Sequence, residues 1–300
     1  MIKIATDCSG IEAPIEALKQ LGIPYAQIFR SDIYEPANEF CKINYPEPLF
    51  NFTDLTKRNH SELSGLDVDL YVAGFPCQSY SSLGKRFGTK DPRAGVLSHI
   101  VETIYHLKPK NFILENVPRF KTIEDGNPFN DLIETLQEMG YSVSYKIMNT
   151  IDYNLPQSRK RLYIIGQISQ LEEFIWPEKV ELKIKIRDLI QWDITGTREI
   201  PPTKDDYKWD AKKELVNKTV LIRAEGFPTR SRIFEDRSPC LTRRPHYLYN
   251  LKRYLTGREM MSIQGFGTYE FTGETKIRNL SGNSMSINVL KLLINGLIKK

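Results

Sequence analysis

Cysteine is scarce in this chain of 300 residues, and no long hydrophobic run occurs in it. No two cysteines have Cys-x-x-Cys spacing; they are Cys8, Cys41, Cys77 and Cys240. We therefore expect neither a disulfide framework nor a zinc site, and the sequence assigns no metal. No run approaches the roughly 18 apolar residues of a membrane helix, and no secretory leader is recognisable. We expect an intracellular protein without membrane contact, in the cytoplasm or nucleoid, or in the nucleus if its origin is eukaryotic or viral.

The composition also lacks a strong bias. Hydrophobic residues make up 40% of the chain and charged residues 26%, which excludes disordered, collagen-like and coiled-coil classes. The 42 basic residues exceed the 37 acidic ones by five. This excess is milder than that of a dedicated nucleic-acid module, so the total charge alone identifies no partner.

Strand-like and helix-like segments alternate over the first 166 residues. Apolar residues at helical spacing predict helices at 13–21, 95–107 and 130–139, and one that ends near residue 40. β-prone runs predict strands at 2–5, 25–30, 70–73, 111–114, 142–148 and 161–166. This alternation is typical of an α/β fold with a mostly parallel sheet that is covered on both faces.

Polar and reactive residues directly follow four of these strands. They are Asp7 to Gly10, Asp32, Pro76-Cys77 and Glu115-Asn116. Ligands of open α/β sheets bind outside the carboxyl ends of the strands. We therefore predict that these residues line one ligand-binding edge.

The alternation becomes less regular after residue 167. Residues 168–236 carry Pro177, Pro201, Pro202 and several polar runs, which predicts a small irregular or β-rich domain. An apolar helix over 284–300 is expected to dock back on the sheet. We therefore divide the chain into residues 1–167, 168–236 and 237–300.

Cys77 and Glu115 are the candidates for chemistry. Cys77 precedes a polar loop whose cations lower a thiol pKa: Lys85, Arg86, Lys90 and Arg93. The alternative for Cys77 is a small core residue, the commoner fate of a free cysteine. Glu115 follows a buried-type strand, where partial desolvation favours the neutral acid that can donate a proton. The alternative for Glu115 is an ordinary polar strand end.

Several motifs occur together in an order that resembles the cytosine-C5 DNA methyltransferases. They are Pro76-Cys77-Gln78, Glu115-Asn116-Val117, Gln157 to Arg161, Arg237 to Thr242, Arg258-Glu259, Ile263 to Phe266 and Gly282-Asn283-Ser284. Each motif is weak alone, but the set in family order is specific and covers about residues 2–166 and 237–298. The resemblance implies a Rossmann-like, S-adenosylmethionine-dependent methyltransferase domain in residues 1–167, a target-recognition domain in 168–236 and a return to the catalytic domain in 237–300.

The resemblance implies a role for each catalytic residue. Cys77 matches the nucleophile that attacks cytosine C6, and Glu115 matches the residue that binds and protonates N3. Arg161 matches the arginine that contacts the base, and Arg159 the one near the phosphate and the catalytic loop. A stacked cytosine cannot react in this way, so the base must be flipped out of the duplex. Residues 79–95 match the mobile loop that closes over the flipped base.

The resemblance also implies a site for S-adenosylmethionine and its product S-adenosylhomocysteine. Asp32 matches the acid that binds the ribose hydroxyls, and Asp54 the acid that faces the adenine amine. Helix capping is the alternative role for both. The predicted cofactor residues are Cys8, Ser9, Gly10, Ile11, Asp32, Ile33, Asp54, Leu55, Pro76, Leu97, Asn283 and Ser284.

The first motif departs from the family pattern Asp-x-Phe-x-Gly-x-Gly. When the two are aligned on Gly10, Thr6 replaces the acid, Cys8 the aromatic residue and Glu12 the second glycine. Ile33 also stands where an aromatic residue often stacks on adenine. The loss of two aromatic surfaces predicts weaker cofactor binding, and Glu12 is a candidate contact of the methionine amine.

The segment 168–236 matches the part of the family that reads DNA sequence, and its shortness predicts a short recognition site. Arg230 and Arg232 are candidates for guanine contacts, with phosphate contact as the alternative; Trp192 and Trp209 are expected in the core of this domain. The predicted DNA-binding residues are Ser81, Ser82, Arg93, Arg230, Arg232, Thr242 and Arg243. Residues 221–260 hold nine cations against four acids, which equals the excess of the whole chain. We therefore predict salt-sensitive DNA binding through this stretch.

Two rival functions stay open at this level. An RNA branch that acts on tRNA shares the motif order, although its usual Cys-Phe-Thr tripeptide does not occur here. A catalytically silent nucleic-acid binder is favoured only by the altered first motif. A Rossmann oxidoreductase is excluded, because Gly10 is not followed by the glycines of Gly-x-Gly-x-x-Gly. We expect a monomer that acts on double-stranded DNA, with a cognate restriction endonuclease as a candidate partner.

Overall fold

The computed structural model describes residues 1–76, 95–168, 173–194, 220–224, 233–271 and 273–298. Six predicted site residues lie outside these ranges: Cys77, Ser81, Ser82, Arg93, Arg230 and Arg232. The chain divides into two compact units. Unit 1 comprises Met1–Met148, Lys160–Glu178 and Val289–Lys300; unit 2 comprises Asn149–Arg159 and Lys179–Asn288.

Unit 1 is built on a seven-stranded sheet with the order β3-β2-β1-β4-β5-β7-β6. Pairing is parallel from β3 to β5, and β7 runs antiparallel to β5. The strands are β1 (Ile2–Asp7), β2 (Tyr25–Ser31), β3 (Phe50–Phe52), β4 (Leu70–Gly74), β5 (Asn111–Asn116), β6 (Tyr141–Asn149) and β7 (Lys160–Ile168). This sheet confirms the α/β prediction.

Helices accompany this sheet as the sequence pattern predicts. They are α1 (Ala13–Leu21), α2 (Glu35–Asn44), α3 (Val96–Leu107) and α4 (Asn127–Glu138). The core is continuous from the sheet into α3 and α4; Phe112, Ile100 and Leu132 are fully buried in it. Central parallel strands buried on both faces read as apolar runs, which is why β4 and β5 are recognisable in the sequence. Gly166 faces Phe112 across the β5–β7 pair, where a Cβ atom would lie 2.0 Å from the ring.

Unit 2 contains a four-stranded antiparallel sheet with the order β11-β10-β8-β9. Its strands are β8 (Leu221–Ala224), β9 (Ile233–Glu235), β10 (His246–Leu248) and β11 (Arg253–Tyr254). The helices after it are α5 (Gly257–Gln264) and α6 (Glu274–Asn283), and the last helix of the chain is α7 (Ile287–Ile298). The prediction of core packing is wrong for Trp192, which is 40% exposed with the Arg187 guanidinium 5.3 Å from its ring centre. Trp209 lies outside the described residues.

Unit 2 is larger than the segment 168–236 assigned to target recognition. By packing, residues 168–178 of this segment belong to unit 1, whereas unit 2 also takes in residues 149–159 and 237–288. After the segment, only Val289–Lys300 returns to unit 1. The functional division of the chain at 167 and 236 stays a prediction. Among the described residues, no helix has both the length and the apolar character needed to cross a membrane.

Candidate active site

The turn after β1 has an uncommon backbone conformation. Cys8, Gly10 and Glu12 all have positive φ, at 48°, 54° and 55°. This left-handed conformation is unfavourable for residues with a side chain, so fixed contacts have to hold the turn. One is the hydrogen bond from the Ser9 N–H to the Ser31 carbonyl, at 3.0 Å. Burial raises the pKa of the Cys8 thiol far above its usual range, so Cys8 stays a neutral thiol.

Asp32 closes this turn from the end of β2. Its two carboxylate oxygens accept hydrogen bonds from the backbone N–H groups of Gly10 (2.7 Å) and Tyr34 (2.8 Å). Burial raises the pKa of Asp32, and these two hydrogen bonds oppose the rise. A carboxylate offers about four lone-pair sites, so acceptor capacity remains for hydroxyl donors. The next residue, Ile33, is 75% exposed and presents an apolar surface.

Asp7, the last residue of β1, forms a fully buried ion pair with Arg58. Arg58 donates to both carboxylate oxygens, from Nη1 at 3.0 Å and from Nη2 at 2.6 Å, and the Tyr71 hydroxyl donates at 2.8 Å. Bidentate geometry with further hydrogen bonds offsets part of the desolvation cost of a buried charge pair. The guanidinium also lies over two rings at 4.8 and 4.9 Å, those of Phe29 and Phe52. The pair thereby ties the segment after β3 to the end of β1.

The Glu12 side chain turns into the protein. One carboxylate oxygen accepts hydrogen bonds from the Thr6 hydroxyl (2.7 Å) and the Gln27 amide (2.8 Å), and no part of the residue is exposed. Burial raises the pKa of Glu12 to about 7, although the hydrogen bonds from Thr6 and Gln27 lower it. Glu12 is therefore enclosed between β1 and β2, contrary to the expectation that it contacts the methionine amine.

Asp54 caps the short 3-10 turn Leu55–Lys57. Its Oδ1 accepts hydrogen bonds from the Thr56 N–H (3.0 Å) and hydroxyl (2.7 Å), and Lys57 Nζ lies 3.6 Å from Oδ2. The Thr56 hydrogen bond is the main reason why the pKa of Asp54 is lowered. The capping role that sequence left open is thus observed, and Oδ2 keeps free acceptor sites.

Glu115 lies in β5, one residue from its end, and pairs with Arg161 of β7. Arg161 Nε is 3.0 Å from Glu115 Oε1, and Glu115 is 9% exposed. In the β4–β5 register Glu115 is opposite Gly74, the last residue of β4. Cys77 follows Gly74 by three residues in the sequence. The carboxylate and guanidinium are therefore fixed beside the strand that leads into the predicted nucleophile.

Asn116 anchors the chain just before Cys77. Its amide group donates to the Phe75 carbonyl at 3.1 Å, and its side-chain oxygen accepts from the Val117 N–H at 2.8 Å. Both bonds are buried or nearly so, which makes the exit of β4 and the end of β5 one rigid corner. Pro76 follows on the exposed side of this corner. Asn116 was predicted to line the ligand-binding edge, but no anchoring role was predicted for it.

Four of the sequence motifs meet in one buried polar cluster of unit 2. The Gln157 side chain donates to the Ile263 carbonyl (3.1 Å) and to the Gln264 side chain (3.0 Å), and it accepts from the Leu241 N–H (3.1 Å). Gln264 in turn donates to the Ser281 carbonyl at 2.7 Å. These side chains therefore serve as cross-links between distant segments, because buried amide groups must be bonded.

Arg159 belongs to the same cluster and is buried. Its guanidinium donates to the carbonyls of Leu241 (2.9 Å), Gly282 (3.4 Å) and Ser284 (2.7 Å), and it lies 3.4 Å from Cys240 Sγ. These contacts give Arg159 an architectural role in unit 2. The predicted position of Arg159 near the phosphate and the catalytic loop stays a prediction.

Gly282 is required by the close approach of two segments. A Cβ atom here would lie 2.2–2.5 Å from backbone atoms of Thr242 and Arg243. Arg243 is exposed on this turn and Thr242 partly so, while Asn283 is exposed and Ser284 buried on the other side. The motif Gly282-Asn283-Ser284 and the motif that ends at Thr242 are thus packed directly against each other.

The model of the family of C-5 cytosine-specific DNA methylases matches residues 2–299. The chain belongs to this family. The Type II methyltransferase M.NgoBI of Neisseria gonorrhoeae is 32% identical over 278 residues, which cover 88% of this chain and 83% of the relative. The Type II methyltransferase M.HaeII of Haemophilus aegyptius is 30% identical over 285 residues, which cover 90% and 85%.

Solved structures show the same fold. Dnmt2 methyltransferase of S. pombe superposes with a TM-score of 0.74 at 19% identity, covering 100% of this chain and 99% of its own. A putative DNA modification methyltransferase from an E. coli prophage gives 0.74 at 18% identity, with coverage of 100% and 99%. These likenesses confirm the Rossmann-like fold of the methylase. Its activity is DNA cytosine-5 methylation, and the family implies S-adenosylmethionine as methyl donor.

The methylase structure brings the predicted residues together in two sets. In unit 1 the turn Cys8–Ile11 is hydrogen-bonded to Asp32 through the Gly10 N–H, and Glu115 forms an ion pair with Arg161. In unit 2 Asn283 and Ser284 adjoin the turn of Thr242 and Arg243. Leu55 and Leu97 are buried, in line with packing roles. The roles assigned to all these residues stay predictions at this point.

Sequence reasoning missed the buried groups that hold the methylase together. Arg58, Gln157 and Gln264 were not selected, although Gln157 and Gln264 lie inside the quoted motifs. Asp7 and Asn116 were predicted only to line the ligand-binding edge, and their structural contacts were not foreseen. The pairing of Asp7 with Arg58 had no local signal, because the two residues are 51 positions apart in the sequence. A polar residue within an otherwise apolar strand end was the signal available for Asp7 and Asn116.

Proposed function

We propose that Glu115 and Arg161 bind the flipped target cytosine and that Cys77 is the nucleophile which activates it. The observation that carries this proposal is the Glu115–Arg161 pair, at 3.0 Å and opposite the end of β4. A carboxyl and a guanidinium side by side present a donor-and-acceptor edge that suits the N3, O2 and N4 groups of cytosine. The position of Cys77 three residues beyond β4 supports its role.

In the proposed reaction the Cys77 thiolate adds to C6 and forms an S–C6 bond, while Glu115 gives its proton to N3. The electron pair of the 5,6 double bond then makes C5 nucleophilic, and C5 is the atom that is methylated. Loss of the C5 proton to a base and of the Cys77 thiolate restores the double bond. Glu115 recovers its proton from N3, so atoms and charges balance over the cycle.

The cofactor site is proposed at the carboxyl ends of β1 and β2. S-adenosylmethionine supplies a methyl group on a sulfonium, which is the electrophile. The residues fit such a ligand: Asp32 keeps acceptor sites for ribose hydroxyls, and the exposed Ile33 offers an apolar face for adenine. Asp54 keeps Oδ2 for an amine donor. Asn283 and Ser284 are assigned to this site only because their motif matches that of the family.

The decisive experiment is a covalent trapping assay. A duplex with 5-fluorocytosine cannot lose the C5 substituent, so the enzyme with S-adenosylmethionine should form a stable adduct that Cys77→Ser does not form. The same duplex with cytosine and a reaction without cofactor are the controls. Absence of an adduct across DNA of mixed sequence would favour a silent nucleic-acid binder.

The substrate is identified by bisulfite sequencing of DNA and tRNA from cells that express the protein. We propose that duplex DNA is the substrate, and that residues 168–236 with Thr242 and Arg243 read a short site. Methylation at one DNA motif and none in tRNA is expected; methylated tRNA alone would overturn this proposal. A monomeric state, an intracellular location and a cognate restriction endonuclease belong to the same proposal.

A further inference from the structure

Three side chains able to bind a metal meet in unit 1, outside the site described above. The carboxylate Oε2 of Glu102 lies 3.5 Å from His60 Nδ1 and 3.6 Å from His99 Nδ1. One ligand atom from each of the three residues lies within 4.8 Å of the other two. His60 begins the 3-10 turn His60–Leu63, whereas His99 and Glu102 are one turn apart on α3.

These separations are too long for good hydrogen bonds, which measure about 2.7–3.2 Å for N–H···O. They match instead the spacing of two ligands of one metal ion. Zinc bonds of about 2.0–2.2 Å to nitrogen and oxygen, in tetrahedral arrangement, place neighbouring ligand atoms about 3.4 Å apart. The cluster therefore has the dimensions of a metal site.

The imidazoles are also in the chemical form that binds metal. His60 is 3% exposed, and neither its Nε2 nor the Nδ1 of His99 has a hydrogen-bond partner in the described part of the chain. The other ring nitrogen of His60, Nδ1, faces the Glu102 carboxylate at 3.5 Å, beyond the distance of a good hydrogen bond. A histidine ring nitrogen that is not engaged in a hydrogen bond is the kind of atom that binds a metal.

We propose that His60, His99 and Glu102 bind one divalent cation, for which zinc is the best match. Two imidazoles and one carboxylate form a donor set typical of zinc, and a water molecule completes four-coordination. Because the His99 and Glu102 side chains are 23% and 44% exposed, the ion has access from solvent. The two rings are nearly parallel, at 21°, so His99 has to rotate on binding for both lone pairs to point at one ion.

The bound ion joins the turn His60–Leu63 to α3, the helix that begins at Val96 directly after residues 77–94 and carries Leu97. Its role is to fix the first half of this helix. Zinc takes no part in the proposed methyl transfer, so the two proposals succeed or fail separately.

The test uses the full-length protein after treatment with EDTA and removal of the chelator. Titration with Zn²⁺ should give one equivalent bound and a rise in Tm, and Co²⁺ should give visible absorption bands of a nitrogen- and oxygen-liganded ion. His99→Ala and Glu102→Gln should each weaken Zn²⁺ binding by at least about 100-fold. His106→Ala, on the same helix but outside the cluster, is the matched control and should bind as the parent does.

Two outcomes would overturn the site. One is the absence of stoichiometric binding to the parent protein. The other is binding that persists in both ligand variants, as expected for an adventitious ion held by cysteines. If His99→Ala fails to fold, Glu102→Gln decides alone, because it keeps the shape of a partly exposed side chain. Stabilisation by Mg²⁺ but not by Zn²⁺ would likewise contradict the proposed donor set.

Discussion

At the scale of single residues, Glu115 and Arg161 hold each other in place. They are paired at 3.0 Å across two antiparallel strands, so neither side chain has to be ordered when a base arrives. Pre-positioned groups of this kind lose little entropy on binding. A single substitution in this pair is therefore expected to change the rate of methylation while the affinity for DNA stays nearly the same.

Glu115→Gln keeps the size of the side chain and removes the acid. We expect single-turnover methylation to slow by about 10²–10⁴-fold, because proton donation to N3 is lost, while DNA affinity stays within a few fold. Glu138→Gln on the exposed face of α4 is the matched control and should leave the rate unchanged. A Glu115→Gln enzyme that methylates at the parental rate would remove Glu115 from the mechanism.

The raised pKa of the buried Glu12 carboxyl makes the free energy of unfolding depend on pH. Its pKa is about 7 in the folded chain and near 4.5 when unfolded, so the protonated form favours folding. This contribution is complete below pH 4.5 and is lost as the pH rises towards 7. Glu12→Gln does not titrate, so the variant should gain about 2–3 kcal/mol relative to the parent between pH 5 and pH 8. Urea unfolding of both proteins at the two pH values measures this difference, in which other titrating groups cancel. A constant difference would contradict the buried carboxyl.

At the scale of elements, the sequence predicts strands and helices with a periodic apolar pattern, but it does not predict contacts between residues that are far apart in the chain. The strands and helices of unit 1 follow from apolar runs and helical spacing, and the carboxyl-edge position of Asp32 and Glu115 follows from the parallel sheet. Burial of Arg159 was not predictable, because an arginine is usually exposed and its acceptors lie up to 125 residues away. The extent of unit 2 by packing was not predictable for the same reason, since Gln157 and Gln264 join segments 107 residues apart.

The Asp7–Arg58 pair provides a test of how elements are joined. Asp7→Asn or Arg58→Met alone leaves a buried partner unpaired, and each should cost about 3–5 kcal/mol of unfolding free energy. The double variant should cost less than the sum, because it leaves no uncompensated charge. A double-mutant cycle by chemical denaturation measures the coupling. Additive single effects would mean that the two side chains act independently.

Gly282 tests the contact between α6 and the turn at Thr242. Gly282→Ala places a Cβ atom 2.2–2.5 Å from backbone, so one segment must move, and we expect a loss of about 1–3 kcal/mol. Asn283→Ala, at the next and exposed position, should leave the unfolding free energy nearly unchanged. Equal stabilities of the two variants would show that the close approach is not maintained in solution.

At the scale of the whole molecule, not every cation of residues 221–260 is available to bind DNA. Arg253 is buried and paired with Glu259 at 2.7 Å, so it is not available to DNA, contrary to its inclusion in the basic stretch. Removing this neutral pair leaves eight cations against three acids, and the local excess is still five. The positive charge expected to bind DNA is therefore the same whether or not Arg253 is counted.

Arg243 is the described residue on which this expectation is tested. Arg243→Ala should lower the slope of log affinity against log salt concentration by about one, the effect of one lost phosphate contact. Lys146→Ala, an exposed cation of β6 outside the stretch, is the control and should leave the slope unchanged. Fluorescence anisotropy with a duplex at several salt concentrations gives both slopes. Identical slopes for the three proteins would place the DNA elsewhere.

The path of the chain through unit 2 determines which buried contacts would be kept if one segment were exchanged. The anchors of its buried cluster, from Gln157 and Arg159 to Leu241, Gln264 and Ser284, all lie outside residues 179–236. Gln191, within that range, is bonded to Glu259 and Arg253 through its backbone N–H and carbonyl, and its side-chain oxygen accepts a hydrogen bond from the Thr256 hydroxyl at 2.8 Å. Exchange of residues 179–236 between relatives would therefore leave these polar anchors in place. The incoming segment would have to supply the acceptor for Thr256 and the apolar contacts that Ile186, Ile190 and Ile222 make with the rest of unit 2.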